Sequence, residues 1–169
     1  MKVSQPAPAF DLEAYANGKI ERVRSDQYKG KWLVLFFYPR DFTFVCPTEL
    51  KALAAHQKEF EAENAQLIAA STDSAYSHQA WFSRDLPEVK YPVLADTGHQ
   101  LAREYGILLE KDGTALRGTF IIDPDGIVQY SVVSSLNVGR SSSETLRVLQ
   151  ALKSGGLCPI DWKKGDKNL

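Results

Sequence analysis

Cys46 stands where an apolar stretch of the sequence gives way to a helical pattern, a position at which a sulfur can do chemistry. The run FFYPRDFTFV precedes it, and the segment CPTEL places Pro47 in the first turn of a predicted helix, with Glu49 close behind. The first turn of a helix carries unpaired amide protons and the positive end of the helix dipole, and both stabilise a thiolate. The sequence therefore predicts an ionised, nucleophilic sulfur at Cys46.

A buried structural role is the simplest alternative for this cysteine, because free cysteine often packs as a small hydrophobic residue. Two neighbours favour a reactive pocket instead. Thr43 offers a hydroxyl three residues before Cys46, and Pro39, seven residues before it, would stiffen the loop and shield the sulfur from bulk water. The only other cysteine is Cys158, so the pair is not the disulfide framework of a small secreted domain. In a reducing compartment, a disulfide between them would be catalytic rather than structural.

Strands and helices alternate in the pattern around Cys46. A buried strand over residues 31–39 leads toward it, and a helix begins at or beside it. The tetrapeptide DPDG at 123–126 predicts the turn of an antiparallel hairpin. Further predicted elements are a strand at 65–71, a helix at 74–86, a strand at 91–96, a helix at 98–106, hairpin strands at 116–123 and 127–134, and a helix at 141–156. This order indicates an α/β domain with a central mixed sheet and helices on both faces.

Composition and charge limit the classes of function. The 169 residues are 44% apolar, enough for one core, so residues 1–169 are expected to form a single domain. Twenty basic and 21 acidic residues leave a net charge of -1, which predicts no binding to nucleic acid or to an anionic membrane. The sequence shows neither a signal-peptide pattern nor an apolar run of about 18 residues, so a cytoplasmic protein is expected. Periodicity ends at about residue 154, where Gly155 and Gly156 predict a mobile tail.

Pro39, Thr43 and Cys46 together form the pattern P-x-x-x-T-x-x-C, and the stretch DFTFVCPTEL resembles the typical two-cysteine peroxiredoxins almost letter for letter. The segments RGTFIIDPDG, VGRSSSETLR and LCPIDWKKGD resemble the same class in the same order. The resemblance covers essentially the whole chain and is nearest to the peroxidase component of the alkyl hydroperoxide reductases. It implies a thioredoxin-like fold, which agrees with the predicted order of elements.

This resemblance implies a thiol-dependent peroxidase that reduces hydrogen peroxide and organic hydroperoxides at Cys46, the peroxidatic cysteine. Thr43 would orient the peroxide, Pro39 would shield the site, and Arg117 would contact both thiolate and substrate. Full ionisation raises the reactive fraction of an ordinary thiol only about thirtyfold at neutral pH, whereas enzymes usually accelerate reactions about a millionfold or more. Most of the acceleration is therefore expected from donors, such as Arg117, that stabilise charge on the departing oxygen.

The supporting residues follow from the same resemblance. Glu49 and Arg140 match the residues that hold the site arginine, although by themselves they would be an ordinary first-turn acid and a surface arginine. Cys158 matches the resolving cysteine, and the resemblance implies a disulfide between two chains of a head-to-tail homodimer, often assembled into a ring of five dimers. The residues alone leave open whether the bridge forms within one chain or between two, and whether Cys158 has any role.

No cofactor or metal is expected, because the sequence carries no flavin, nicotinamide or haem signature. Electrons would come by thiol exchange from a reductant protein, either thioredoxin-like or glutaredoxin-like, or from a flavoprotein disulfide reductase. Three histidines lack metal-ligand spacing and are expected to be solvated or to pack in the core: His56, His78 and His99.

Two competing functions remain. A thioredoxin-like disulfide reductase normally uses a C-x-x-C pair, which the CPTE sequence after Cys46 does not provide. The second alternative comes from a different class: a holdase chaperone or redox-signalling scaffold formed by the same oligomer, in which the cysteines matter little. The stretch ILLEKDGTAL lacks the glycine-rich insertion of peroxide-sensitive peroxiredoxins, and only eleven residues follow Cys158, so resistance of Cys46 to further oxidation is expected.

Overall fold

The structure is a computed structural model that describes residues 3–169 of the chain. Its strands are β1 (Asp11–Ala16), β2 (Lys19–Arg24), β3 (Trp32–Phe37), β4 (Ala65–Ser71), β5 (Val93–Ala95), β6 (Leu108–Leu109), β7 (Thr114–Ala115), β8 (Arg117–Ile122) and β9 (Val128–Ser134). Its helices are α1 (Val45–Ala55), α2 (Gln57–Ala62), α3 (Ala75–Asp85), α4 (Gln100–Glu104) and α5 (Ser142–Ser154).

Seven strands form one mixed sheet in the order β2-β1-β5-β4-β3-β8-β9. The central strand β3 is parallel to β4 and antiparallel to β8, and β8 pairs with β9 in an antiparallel hairpin. The predicted central mixed sheet is therefore confirmed. Because β8 runs against β3, the beginning of β8 lies at the carboxyl end of β3, the end from which the chain continues toward Cys46.

The two faces of β3 belong to two apolar clusters, which explains its uninterrupted apolar sequence. Val34 and Phe36 pack on the face that is covered by α1, α2, α3 and α5. Leu33, Leu35 and Phe37 pack on the opposite face, with residues of α4 and of β8. Helices therefore cover both faces of the sheet, as predicted, and β3 is packed on both sides.

The structure adds detail to the predicted elements. The helix predicted after Cys46 is divided at His56, which separates α1 from α2. The predicted hairpin is confirmed, and its turn contains Gly126 at φ +84°, a value that favours glycine. The β1–β2 hairpin was not predicted from the sequence, although Asn17 and Gly18 both have positive φ in its turn, as a type I′ turn requires.

The tail after α5 contains neither helix nor strand, in keeping with its loss of periodicity. It contacts the body of the protein through Trp162, whose side chain is buried and whose carbonyl accepts a hydrogen bond of 2.8 Å from Arg147 Nη1. Mobility of this tail stays a prediction. Among residues 3–169, no helix combines the length and apolar character needed to cross a membrane.

Candidate active site

Cys46 is the second residue of α1, one position after the helix begins, which matches the prediction of a helix starting at or beside it. The residue is buried, yet it lines a pocket of about 390 Å³ that opens beside the first turn of the helix. The lining residues are Pro39, Arg40, Thr43, Phe44, Val45, Cys46, Asp112, Thr114, Arg117 and Leu136. Four of the predicted site residues, Pro39, Thr43, Cys46 and Arg117, therefore share one cavity.

Arg117 is the first residue of β8, and the sheet brings it beside the helix that carries Cys46. Its Nη1 lies 3.4 Å from Cys46 Sγ and donates to Glu49 Oε2 at 2.7 Å. Its Nε donates to the carbonyl of Leu136 at 2.8 Å, so the guanidinium is fixed on two sides. Nearly the whole side chain is buried, at 4% exposure. Water therefore screens its charge less, and the charge acts more strongly on the nearby sulfur.

Glu49 lies one helical turn after Cys46 and holds both predicted arginines. Besides Arg117, its carboxylate accepts from Arg140 Nε at 2.8 Å, Arg140 Nη2 at 3.0 Å and the Arg140 backbone amide at 2.8 Å. Arg140 Nη1 donates further to the Gly118 carbonyl at 2.7 Å and to Thr119 Oγ1 at 3.1 Å. The structure thus places the Glu49 carboxylate between Arg117 and Arg140, where it accepts hydrogen bonds from both.

The charges of this cluster leave a net positive charge next to the sulfur of Cys46. Burial alone would raise the pKa of Glu49, but the hydrogen bonds and charge of Arg140, together with the charge of Arg117, outweigh burial and lower the pKa below 4.5. Glu49 is therefore ionised at neutral pH. Two guanidinium charges against one carboxylate leave one positive charge in excess beside Cys46.

Thr43 and Pro39 form the loop side of the pocket. The Thr43 hydroxyl donates to the carbonyl of Arg40 at 2.9 Å, so its proton is engaged within the loop. Its oxygen still has lone pairs that can accept a hydrogen bond from an incoming O–H group. Pro39 follows Tyr38 directly at the end of the buried β3 segment, and its ring makes part of the apolar wall around the cavity.

A buried polar network, which was not predicted from the sequence, fixes the loop that joins β3 to α1. Asp41 accepts from the Tyr38 hydroxyl at 2.6 Å and lies 2.8 Å from His78 Nδ1, while His78 Nε2 lies 3.1 Å from the Leu94 carbonyl. The ring of His78 therefore links the loop to α3 and to β5. The loop also holds Phe42 at φ +56°, a strained conformation that such contacts can maintain. His78 is a core residue, one of the two roles predicted for it.

Cys158 lies outside this pocket. Its side chain is partly exposed beside α5, where Sγ lies 3.2 Å from Ser154 Oγ and 3.5 Å from the Ala151 carbonyl oxygen. Both cysteines of the chain are free thiols. The structure therefore brings together six of the seven predicted site residues and leaves Cys158 apart from them.

The pocket residues that sequence analysis missed come from separate parts of the chain. Arg40 donates from Nη2 to the Asp112 carbonyl at 2.9 Å and to Thr114 Oγ1 at 2.6 Å, which ties the loop before α1 to the β6–β7 connection. Leu136 contributes an apolar side chain and the carbonyl that Arg117 uses. No sequence spacing relates these positions, so only the fold reveals them.

The model of the AhpC/TSA family matches residues 3–131 of the chain. The chain belongs to the AhpC/TSA family. It is 47% identical over 176 residues to peroxiredoxin prdx-2 of Caenorhabditis elegans, and the match covers 99% of this chain and 88% of the relative. Its structure is similar to the reduced 2-Cys peroxiredoxin of Plasmodium vivax, with a TM-score of 0.93, 36% identity, and coverage of 99% of this chain and 92% of that one.

A second solved structure, the AhpC of Enterococcus faecalis, has a TM-score of 0.89 and 36% identity, and the match covers 93% of this chain and 98% of that one. These similarities within the AhpC/TSA family confirm the predicted membership in the peroxiredoxins and the predicted thioredoxin-like α/β fold. They also confirm the predicted class of enzyme, a peroxidase among the oxidoreductases.

Proposed function

We propose that this peroxiredoxin reduces hydrogen peroxide and organic hydroperoxides by two-cysteine chemistry, with Cys46 as the peroxidatic and Cys158 as the resolving residue. The observation that carries the proposal is the contact of 3.4 Å between Arg117 Nη1 and Cys46 Sγ. Glu49 fixes this guanidinium before any substrate arrives. A donor that is already in place costs no reorganisation when charge develops beside it, which is the basis of electrostatic catalysis.

In the first step, the Cys46 thiolate attacks one oxygen of the peroxide. A sulfur–oxygen bond forms while the oxygen–oxygen bond breaks, and the electron pair of the broken bond stays with the departing oxygen. That oxygen takes up a proton and leaves as water or an alcohol, and the cysteine becomes a sulfenic acid. Arg117 stabilises the charge, Thr43 Oγ1 accepts the O–H of the peroxide and so orients it, and Pro39 limits the access of water.

In the second step, the thiol of Cys158 attacks the sulfenic sulfur of Cys46. A disulfide forms, the sulfur–oxygen bond breaks, and the released hydroxide combines with the proton of the thiol to give water. Cys158 must first leave its contacts with Ser154 and Ala151. The proposal places this disulfide between two chains of a head-to-tail homodimer that assembles into a ring of five dimers, as the family resemblance favours.

The cycle closes when a reductant protein exchanges its thiols with the disulfide, so the proposed enzyme needs no cofactor of its own. The candidates are a thioredoxin-like protein, a glutaredoxin-like protein and a flavoprotein disulfide reductase. A cytoplasmic location, where such reductants keep thiols reduced, is part of the proposal.

A coupled peroxidase assay tests this function with each type of donor, using hydrogen peroxide and an organic hydroperoxide. We expect Cys46→Ser to consume no peroxide, and Cys158→Ser to complete one turnover and then stop with Cys46 as a sulfenic acid. Sustained turnover of Cys158→Ser with the same protein donors would contradict the role of Cys158. Protection of unfolding client proteins by a wild type that consumes no peroxide would favour the holdase alternative.

A further inference from the structure

One carboxylate holds both ends of the segment that carries Cys158. Glu63, which caps the carboxyl end of α2, accepts from Lys153 Nζ at 2.9 Å through Oε2 and from Lys164 Nζ at 2.5 Å through Oε1. Lys153 lies in the last turn of α5 and also donates to the backbone carbonyl of Glu63. Lys164 belongs to the tail. Since Cys158 lies between the two lysines in sequence, its segment forms a loop closed at both ends by Glu63.

The ion pairs of Glu63 with Lys153 and Lys164, here called the Glu63 clamp, stay charged across the physiological pH range and should weaken as salt is added. Hydrogen bonds from Lys164 and then Lys153 lower the pKa of Glu63 to about 2, so its charge is present throughout the physiological range. The Glu63 side chain is only 10% exposed, and Gln150 Nε2 adds a third hydrogen bond of 3.2 Å. The Lys164 side chain, by contrast, is 66% exposed, and mobile ions screen such a partner strongly.

The segment that the clamp holds carries Cys158 as an unreacted thiol. Cys158 Sγ is engaged with the Ser154 hydroxyl and the Ala151 carbonyl, and Cys158 is a free thiol. Trp162, which lies between Cys158 and Lys164, also attaches the segment through its buried ring and its carbonyl. Loss of the clamp would therefore loosen the segment without detaching the tail completely.

We propose that Glu63 is a positioning residue for the resolving step, which holds the Cys158 segment against α2 and α5 and so limits the rate at which Cys158 reaches the oxidised Cys46. This inference rests on the proposed two-cysteine function. The step that Glu63 limits is the condensation of the Cys46 sulfenic acid with the Cys158 thiol, which gives a disulfide and water. Release of either lysine shifts the segment toward open conformations and accelerates disulfide formation. The attack of Cys46 on peroxide is unaffected.

Rapid-quench measurements on the full-length protein test the proposal. The reduced enzyme is mixed with one equivalent of hydrogen peroxide, and loss of thiol, sulfenic acid and disulfide are followed by alkylation and mass spectrometry. In Glu63→Gln we expect disulfide formation roughly fivefold faster, the factor that one or two partly exposed ion pairs can supply. In Lys164→Met the ion pair of Glu63 with Lys153 remains, so the acceleration should be smaller. Lys164→Arg keeps a positive charge at this position and should keep the wild-type rate.

Lys163→Met is the matched control, because among residues 3–169 the hydrogen bonds and ion pairs of the Glu63 carboxylate come from Gln150, Lys153 and Lys164 and not from Lys163. Its rate should equal that of the wild type. Salt gives a readout that a purely structural role would not move. Raising the ionic strength from about 0.05 M to about 0.5 M should accelerate disulfide formation in the wild type and leave Glu63→Gln nearly unchanged.

Disulfide formation that is unchanged or slower in Glu63→Gln and Lys164→Met, with the peroxide step intact, would overturn the clamp and leave the two-cysteine function standing. A wild type that reacts with peroxide but never joins Cys46 to Cys158 would overturn both. The peroxide step reports that each variant is folded, and Lys164→Met provides the test if Glu63→Gln does not fold.

Discussion

The guanidinium of Arg117 lies 3.4 Å from the sulfur of Cys46, although 71 positions separate the two residues in sequence. Removal of this guanidinium should cost far more rate than the ionised fraction of the thiol explains. Measured at alkaline pH, where the thiol is ionised in both proteins, Arg117→Ala should react with peroxide roughly a hundredfold to a thousandfold more slowly than the wild type. Stopped-flow measurement of the peroxide step provides the comparison, and near wild-type speed would show that catalysis resides elsewhere.

Glu49→Gln should destabilise the protein as well as slow it. The substitution leaves Arg117 and Arg140 buried, at 4% and 7% side-chain exposure, without their shared carboxylate. Removal of one partner from a buried ion pair costs about 3 kcal/mol. Urea unfolding measures this loss, with Glu144→Gln as the matched control, because Glu144 pairs with Arg147 at 48% exposure. The control should change the free energy of unfolding by less than about 1 kcal/mol.

Thr43→Val should lower the rate of the peroxide step roughly tenfold to a hundredfold, because it removes the oxygen that would accept a hydrogen bond from the substrate. It also removes the bond of 2.9 Å to the Arg40 carbonyl. Thr43→Ser retains the hydroxyl and should remain within about threefold of the wild type. Equal rates for the valine and serine variants would argue against a role of the hydroxyl in orienting peroxide.

Acid should weaken the protein partly through Glu63. Its folded-state pKa of about 2 lies below the ordinary value of 4.5, so the unfolded chain binds more protons between these values. The stability from this group is therefore complete above about pH 5 and is lost as the pH falls toward 2. Urea unfolding at about pH 6 and about pH 3 should show a smaller acid loss in Glu63→Gln than in the wild type. Glu13→Gln, on an exposed position of β1, should behave like the wild type.

Local patterns were sufficient to predict most of the fold. The apolar run before Cys46, the helix after it and the DPDG turn each depend on neighbouring residues, and the structure contains all three. The β1–β2 hairpin was missed because its strands are partly exposed and weakly apolar, although the Asn17-Gly18 turn carried the signal. The break at His56 was also missed, because α2 continues the pattern of polar and apolar residues.

The candidate site likewise contains residues that local sequence could predict and residues that it could not. Cys46 and Glu49 could be placed together from their spacing on one helix, whereas Arg117 and Arg140 were identified only through the family resemblance. Glu49 is 68 positions from Arg117 and 91 from Arg140. The pairing of β8 with β3 brings Arg117 near, and Arg140 arrives from the segment between β9 and α5. The contact between Asp41 and His78 had no such guide, because a loop and a helix meet there without any repeating pattern.

The β8–β9 hairpin has one end beside the candidate site and the other end far from it. Arg117 pairs with Ser134 at the end beside Cys46, whereas the turn at 123–126 lies at the opposite end of the strands, near the start of β3. A peptide tag or fluorescent label inserted at that turn would therefore stand a full strand length from the reacting sulfur. The same insertion between Ser134 and Arg140 would displace Arg140 and the Leu136 carbonyl that accepts a hydrogen bond from Arg117.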